Sequence, residues 1–237
     1  MKTGYWHLTS ISWLDHLPAE ALADLRRSSQ VQVLARGDTV FSPTPDPQMV
    51  FLLESGICRI FGLSPEGEEF THGLVVRGEV FGELPILDGA PRDCFAVAHE
   101  KSIVWRFPRQ VFLELMASGP EAAMVITKQI AGRMRRFQMR AEDLVFHHVP
   151  ARLARVLLLL ADELGEATPA GTRIGARFTQ AELASLIGAS RPTVSLSLGE
   201  LRSNGLIGMD EGRIVILSPH GLAATAGEPQ PQRASHD

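Results

Sequence analysis

The stretch FTQAELASLIGASRPTVSLSLGELRSNGLI, residues Phe178 to Ile207, has the pattern of two short helices joined by a tight turn. Thr179 and Glu182, three residues apart, form a capping box that predicts where the first helix begins. Gly188 predicts the turn because glycine adopts a positive φ at little cost. Ser190 is suited to cap the second helix. Together these signals predict a helix-turn-helix.

The apolar and polar residues of this stretch are arranged as expected for a DNA-binding helix-turn-helix. The contacts predicted between the two helices are Leu183, Ile187, Val194 and Leu201. The residues predicted to contact DNA are Thr179, Ser190, Arg191, Thr193, Ser195 and Arg202. An arginine near the start of a recognition helix suits guanine O6 and N7, and hydroxyls suit phosphate oxygens. A turn at Asp210–Gly212, before an alternating strand, predicts a wing. The alternative is an αα-hairpin with no role in DNA binding.

A long segment without internal proline runs from Pro120 to about His148. Its seam positions are spaced by three and four residues: Thr127, Ile130, Met134, Phe137, Ala141 and Leu144. A heptad seam of this kind usually packs against a second helix, so it predicts a homodimer. Two copies would read the two half-sites of a palindromic operator in double-stranded DNA. The alternative is a helix that packs on its own domain.

Short apolar segments with glycine turns, from Val31 to about Phe107, predict an antiparallel sandwich or barrel. A short amphipathic helix, Pro18 to Ser28, precedes them. The fold class is therefore α+β. We expect a β-roll over residues 1–119, a dimerisation helix over 120–149 and a winged helix-turn-helix over 150–237. Within the last segment, 166–175 is expected to be a loop and the tail after Pro219 to fray.

Two charged residues stand out in the segment GEVFGELPILDGAPRDCFAVA, Gly78 to Ala98. Glu83 and Arg92 lie among glycines, prolines and apolar residues, and such charged groups are rarely buried without a partner. Two interpretations are open. Either a ligand satisfies both groups, or they pair with each other or with neighbouring residues.

Composition narrows the possible functions. The chain has 237 residues and a formal net charge of −4, so any DNA contact must come from a local basic patch. Its two cysteines, Cys58 and Cys94, exclude a disulfide scaffold and a four-cysteine zinc or iron–sulfur site within this chain. The sequence has no apolar run of membrane-spanning length and no signal-peptide pattern, so we expect a cytoplasmic protein with no membrane partner.

The order of these segments resembles the CRP/FNR superfamily of bacterial transcription factors (cyclic-AMP receptor protein and fumarate–nitrate regulator). The resemblance covers roughly Leu14 to Ser218 and is carried by LARGDTVF, GEVFGELPILDGAPRD and FTQAELASLIGASRPTVS. It implies a cyclic-nucleotide-binding-type β-roll of the jelly-roll kind, a dimer helix, a winged helix-turn-helix and RNA polymerase as a partner. Pro192 and Leu196 differ from the cyclic-AMP receptor's recognition helix, so the operator is expected to differ.

The resemblance also implies an effector pocket. Its residues map to Gly82, Glu83, Leu84, Arg92, Asp93, Phe137 and Gln138. In nucleotide-binding members, the glutamate accepts from the ribose hydroxyl and the arginine pairs with the phosphate. Asp93 departs from the usual Ser or Thr, and Phe137 and Gln138 depart from the adenine-contacting pair. A cyclic nucleotide, another small anion or no ligand all remain open.

Other cofactors and functions find less support in the sequence. The cysteines of the iron–sulfur members are absent, and Leu84 stands at the position aligned with the haem-ligating histidine of carbon-monoxide sensors, so we expect neither group and no metal site. A cupin-type metalloenzyme would need a histidine cluster, and the roll holds only His72 and, at its edge, His99. A nucleotide-sensing regulatory protein without DNA binding is the remaining alternative.

Overall fold

The computed structural model describes residues 19–117 and 120–227, apart from the side chains at 21 and 22. The chain divides into two compact units, which meet along the sequence between Gln138 and Met139. This boundary lies inside the long helix. The segment expected to be the dimerisation helix, 120–149, is therefore shared between the two units.

The first unit is built from short strands and flanking helices. Its strands are β1 (Gln30–Leu34), β2 (Thr39–Phe41), β3 (Met49–Ser55), β4 (Cys58–Leu63), β5 (Glu69–Val75), β6 (Val80–Phe81), β7 (Phe95–Ala98) and β8 (Ser102–Pro108). Its helices are α1 (Ala19–Ser28), α2 (Leu84–Asp88), α3 (Arg109–Ala117) and the first two thirds of α4 (Pro120–Phe146). Pro18, the predicted start of α1, lies outside the described residues.

The strands pair antiparallel in two sheets, with orders β1-β8-β3-β6 and β2-β7-β4-β5. Strand β3 shows how they pack, because four successive residues, Val50 to Leu53, are buried. Phe51 and Leu53 join a core built from both sheets, whereas Val50 and Leu52 join a core with α1, α3 and α4. Since neighbouring strand residues point to opposite faces, both faces of the first sheet are covered. The predicted β-roll is confirmed.

The second unit contains the end of α4 and the rest of the described chain. Its further elements are α5 (Val149–Leu164), β9 (Gly165–Thr168), β10 (Gly171–Ile174), α6 (Gln180–Ile187), α7 (Arg191–Ser203), β11 (Ile207–Asp210), β12 (Arg213–Ile216) and α8 (Pro219–Thr225). The strands form one sheet of order β11-β12-β10-β9. Asp143 of α4, itself buried, pairs with Arg155 of α5 at 2.8 Å.

Three expectations about this unit are wrong. The segment expected to be a loop, 166–175, forms the hairpin β9–β10, because β10 pairs with β12 through Thr172 and Ile216. Strand β12 does not alternate, since Ile214 to Ile216 are all buried. The tail does not fray over Pro219–Thr225, where α8 buries Leu222 completely. Residues 228–237 lie outside the described part of the chain.

A glycine in the turn between β3 and β4 gives a test of the roll. Gly56 has φ +86°, and a Cβ built there would lie 2.5 Å from the Lys101 carbonyl oxygen and 2.8 Å from Ser102 Cα. Gly37 has a similar φ of +90°, but its Cβ would meet nothing within 4 Å. Both alanine variants incur a left-handed backbone cost of about 1–2 kcal/mol. Gly56→Ala should lose a further 1–3 kcal/mol or so from overpacking.

Urea unfolding followed by circular dichroism measures this difference. Equal losses of unfolding free energy in Gly56→Ala and Gly37→Ala would contradict the close approach of the β3–β4 turn to the start of β8.

Candidate functional site

Glu83 lies at the point where β6 gives way to α2. Gly82 before it has φ +73°, and this turn directs the Glu83 side chain into the protein, where the residue is 1% exposed. Its carboxylate forms an ion pair with Arg133 of α4. Arg133 also donates a hydrogen bond of 2.6 Å to the carbonyl of Val80. The partner of this buried acid is thus a neighbouring arginine from a distant part of the chain.

Arg133 is the middle member of a set that we call the polar stripe of α4. The stripe consists of Gln129, Arg133 and Arg136, spaced by four and three residues on one helix face. Gln129 donates to the carbonyl of Gly78 at 3.0 Å, and Arg136 lies 3.2 Å from the Glu79 carboxylate. The stripe therefore attaches α4 to the segment that ends at Glu83.

Arg92 is buried beside the same segment but has different partners. Its Nη2 donates to the carbonyls of Met49 at 2.9 Å and Gly82 at 2.8 Å. Its guanidinium lies 4.3 Å from the centroid of the Phe41 ring. Its Nε is buried and has no hydrogen-bond acceptor among the described residues. A small anion would supply the missing acceptor, so the residues present fit an anionic ligand.

Burial dominates the electrostatics of these groups. It raises the pKa of Glu83, and the nearby Arg133 guanidinium opposes this effect. Burial also lowers the pKa of Arg92. Desolvation raises the pKa of Cys58 to about 12 and that of Cys94 to about 11, so both thiols stay protonated at neutral pH. Protonated thiols are poor nucleophiles and poor metal ligands.

The other residues assigned to the effector pocket are more open. Leu84 is 52% exposed, and Asp93 and Gln138 are also exposed. Phe137 is 42% exposed, and its ring meets His72 edge-on at 6.5 Å between centroids. The structure thus brings Gly82, Glu83 and Arg92 together in the interior. Sequence reasoning missed Arg133 as the partner of Glu83, although the four–three spacing of the polar stripe was a usable signal.

The predicted dimer seam is exposed at every member except Ile130. Ile130 is half-buried against the core between the first sheet and the helices. Further along α4, Met134 is 58% exposed, and Phe137 and Leu144 are also exposed. The remaining seam members, Thr127 and Ala141, are exposed as well. Of the six seam members, Ile130 alone packs against a core of its own unit, and the other five are exposed.

The predicted helix-turn-helix is present in the second unit. Thr179 accepts a hydrogen bond from the Glu182 amide at 3.1 Å, and Glu182 accepts one from the Thr179 amide at 2.7 Å. Gly188 ends α6 with φ 61°, and Ser190 caps α7 by accepting from the Thr193 amide. The predicted interhelix contacts Leu183, Ile187, Val194 and Leu201 are all buried.

The residues predicted to contact DNA lie on the outer surface of α7, at its N-cap and at the N-cap of α6. Arg191, Thr193, Ser195 and Arg202 are exposed, as are Thr179 and Ser190. The Ser190 and Thr193 hydroxyls lie 2.7 Å apart, so one already donates to the other. Leu196, which sequence reasoning did not assign to the DNA-contacting set, is 71% exposed on the same helix.

Two features bear on other classes of function. In residues 19–117 and 120–227, no three His, Cys, Asp or Glu side chains are grouped so that they could hold a metal ion. The same residues include no helix with both the length and the apolar character needed to cross a membrane.

Comparison with known proteins shows which family shares this architecture. A family model described as a cyclic nucleotide-binding domain matches residues 31–118, and one described as a Crp-like helix-turn-helix domain matches residues 151–225. The chain is 32% identical over 198 residues to a CRP-like cAMP-activated global transcriptional regulator of Mycobacterium tuberculosis, covering 84% of this chain and 88% of the relative. The chain belongs to the CRP/FNR family of transcriptional regulators.

Further relatives agree with the CRP/FNR assignment. The chain is 31% identical over 196 residues to a global nitrogen regulator of Synechococcus elongatus, covering 82% of this chain and 88% of the relative. A solved CRP/FNR-family regulator from Thermus thermophilus has a TM-score of 0.70 at 25% identity, covering 85% of this chain and 100% of the other. The predicted family, fold class and DNA-binding regulatory function are confirmed. The relatives are transcription regulators, which favours this function over a metalloenzyme.

Removing Arg133 should lower the unfolding free energy, because the Glu83 carboxylate would then be buried without a counter-charge. Arg133→Met leaves that charge without its partner and should cost about 3–5 kcal/mol of unfolding free energy at neutral pH. The loss of Arg133 raises the pKa of Glu83 further, because this guanidinium is the largest influence that lowers it. The deficit should therefore shrink as the pH falls through the folded-state pKa of Glu83 in the variant, because the carboxyl then becomes neutral.

Urea unfolding at pH 7.5 and 5.5 tests this expectation. Glu83→Gln with Arg133→Met should recover much of the loss and remove its pH dependence. Arg136→Met is the matched control, and its effect should be smaller because Glu79 also accepts a hydrogen bond from the Val76 amide. A deficit in Arg133→Met that is the same at both pH values would contradict the role of the Glu83 charge.

Proposed function

We propose that this CRP/FNR regulator works as a homodimer on a palindromic operator in double-stranded DNA, and that its β-roll binds a small anionic effector of the cyclic-nucleotide class. At a promoter, its protein partner would be RNA polymerase. The observation that carries the effector proposal is the buried Nε of Arg92, which has no acceptor among the described residues. This atom belongs to a residue that is 5% exposed and whose charge is close enough to that of Glu83 for the two to interact.

An anion fits this position for electrostatic reasons. Burial disfavours the charged form of Arg92, and a phosphate would offset that cost through a charge-assisted hydrogen bond. The family model matched by the roll is described as a cyclic nucleotide-binding domain, and the mycobacterial relative is named as cAMP-activated. Both support a cyclic nucleotide over other anions. The exposed face of Phe137 would be available to a base.

The polar stripe gives the effector a route to α4. A ribose hydroxyl that donates to Glu83 would share or displace the Arg133 guanidinium. Because Arg133 also holds the Val80 carbonyl, such a change alters how α4 is attached to the roll. Since α4 continues into the unit that carries the helix-turn-helix, effector binding and DNA binding would be coupled. Such coupling is typically about 1–3 kcal/mol, a factor of roughly 5–150 in affinity.

Operator binding with and without nucleotides tests the effector proposal. Fluorescence anisotropy should show that cAMP or cGMP raises the operator affinity of the wild-type protein by a factor of roughly 5–150. Arg92→Gln should abolish this response while leaving ligand-free DNA binding in place. Asp93→Ser should lower the nucleotide concentration required, because it removes a negative charge next to Arg92 in the sequence.

Full operator affinity without ligand, and no response in any of the three proteins, would contradict the effector proposal. It would leave DNA binding by the helix-turn-helix untouched, so the two conclusions are tested separately.

The exposed seam supports the homodimer. A row of apolar side chains from Met134 to Leu144 lies open along α4 in the single chain. Such a row is unfavourable in water and is characteristic of a surface that packs against a second helix. The polar stripe lies one residue before the seam at each step, so α4 can hold the roll and a second copy at the same time.

Charge placed in the seam should separate the subunits. Met134→Glu with Phe137→Glu should change a sedimenting dimer into a monomer at micromolar concentration, because carboxylates are strongly disfavoured in an apolar interface. Val31→Glu with Val33→Glu is the matched control, since both valines are exposed apolar residues on β1, away from the seam. A wild-type protein that sediments as a monomer, or a seam variant that remains dimeric, would contradict the proposal.

A further inference from the structure

The exposed surface of α7 has a central line that differs from its flanks. Four residues spaced by four, three and four positions lie along it: Pro192, Leu196, Gly199 and Ser203. The opposite side of the helix is buried through Val194, Ser197 and Leu201. The line is therefore the part of α7 that faces most directly away from the core of the second unit. The predicted contacts Arg191, Ser195 and Arg202 lie to one side of it.

Leu196 is the prominent side chain on this line. It is 71% exposed, which is unusual for a leucine in a folded domain. Gly199, one turn further on, has no side chain, and a Cβ built there would meet nothing within 4 Å. Pro192, one turn before, offers only a compact ring. The Leu196 side chain thus projects beyond its two small neighbours on the line, so a ligand surface can contact it directly.

The chemistry of this line limits what it can recognise. From Pro192 to Gly199 the helix carries no charged side chain, since Arg191 precedes this segment and Glu200 follows it. A bidentate arginine contact with guanine is therefore not available from its centre. In the major groove, an apolar side chain recognises the C5 methyl group of thymine. The second helix of a helix-turn-helix is the one that enters that groove.

We propose that Leu196 is a specificity-determining residue that contacts the methyl group of a thymine in each operator half-site. The proposal rests on DNA binding by the CRP/FNR fold. Burying the leucine against a methyl removes apolar surface from water on both partners, and this gain is lost when the methyl is absent. Arg191, in the first turn of α7, remains free to contact a different base pair.

The test uses the full-length dimer and operators selected from a library of random duplexes. In the selected operator, each symmetric pair of thymines is replaced by uracil, which removes only the methyl group. Replacing one of these pairs should weaken wild-type binding by about fourfold for each half-site, from the transfer free energy of one methyl, and by roughly 15-fold for the two half-sites together. Fluorescence anisotropy at fixed salt measures the dissociation constants.

Variants assign that effect to one side chain. Leu196→Ala should bind the thymine and uracil operators equally, and it should fold normally because the residue is exposed. Leu196→Arg should shift the selected base at this position towards guanine. Leu63→Ala makes the same leucine-to-alanine change at an exposed site of the roll, and it should keep the wild-type discrimination.

Two outcomes overturn the proposal and are distinguishable. An operator whose thymines can all be replaced by uracil without loss, or equal discrimination by wild type and Leu196→Ala, would remove the role of Leu196 but leave DNA binding in place. Failure to select any operator would contradict DNA binding itself, and this proposal with it.

Discussion

A carboxylate buried as deeply as that of Glu83 needs a counter-charge, and here the counter-charge comes from Arg133, 50 residues away on α4. The pairing attaches α4 to the β-roll at a defined rotation about the helix axis. Gln129 and Arg136, one turn to either side, strengthen the same attachment. Because the polar stripe faces the roll, the neighbouring line from Met134 onward is left exposed. The rotation of α4 thus decides which face is open to a second copy.

The far end of α4 is attached in a similar way. Asp143, which is also buried, pairs with Arg155 of α5 in the second unit. One continuous helix therefore carries two buried carboxylate–arginine contacts, one in each compact unit. Removing one partner of such a pair is costly, because the remaining charge has no solvent to stabilise it. A ligand that competes for Glu83 would act on the first of these contacts while leaving the second in place.

Much of the fold could be predicted because its determinants are local. The capping box at Thr179, the turn at Gly188 and the cap at Ser190 are signals within a few residues, and the structure contains each of them. The spacing of the roll's glycines and the long proline-free helix are local in the same sense. By contrast, residues 166–175 were expected to be a loop but form β9–β10. Strand β10 is stabilised by pairing with β12, about 40 residues later in the chain. No periodicity within 166–175 reports that pairing.

The sequence by itself determined that Glu83 and Arg92 lie in a turn-rich apolar segment, and that two such charges need partners. Only the tertiary structure decided which partners: Arg133 for the acid, and the carbonyls of Met49 and Gly82 for the guanidinium. The tertiary structure also buries Leu222, in a tail whose sequence is rich in small and polar residues. It leaves Leu196 exposed on α7. The physical reason is the same in each case. Charge pairing and burial depend on which distant segments meet, and that is settled by packing.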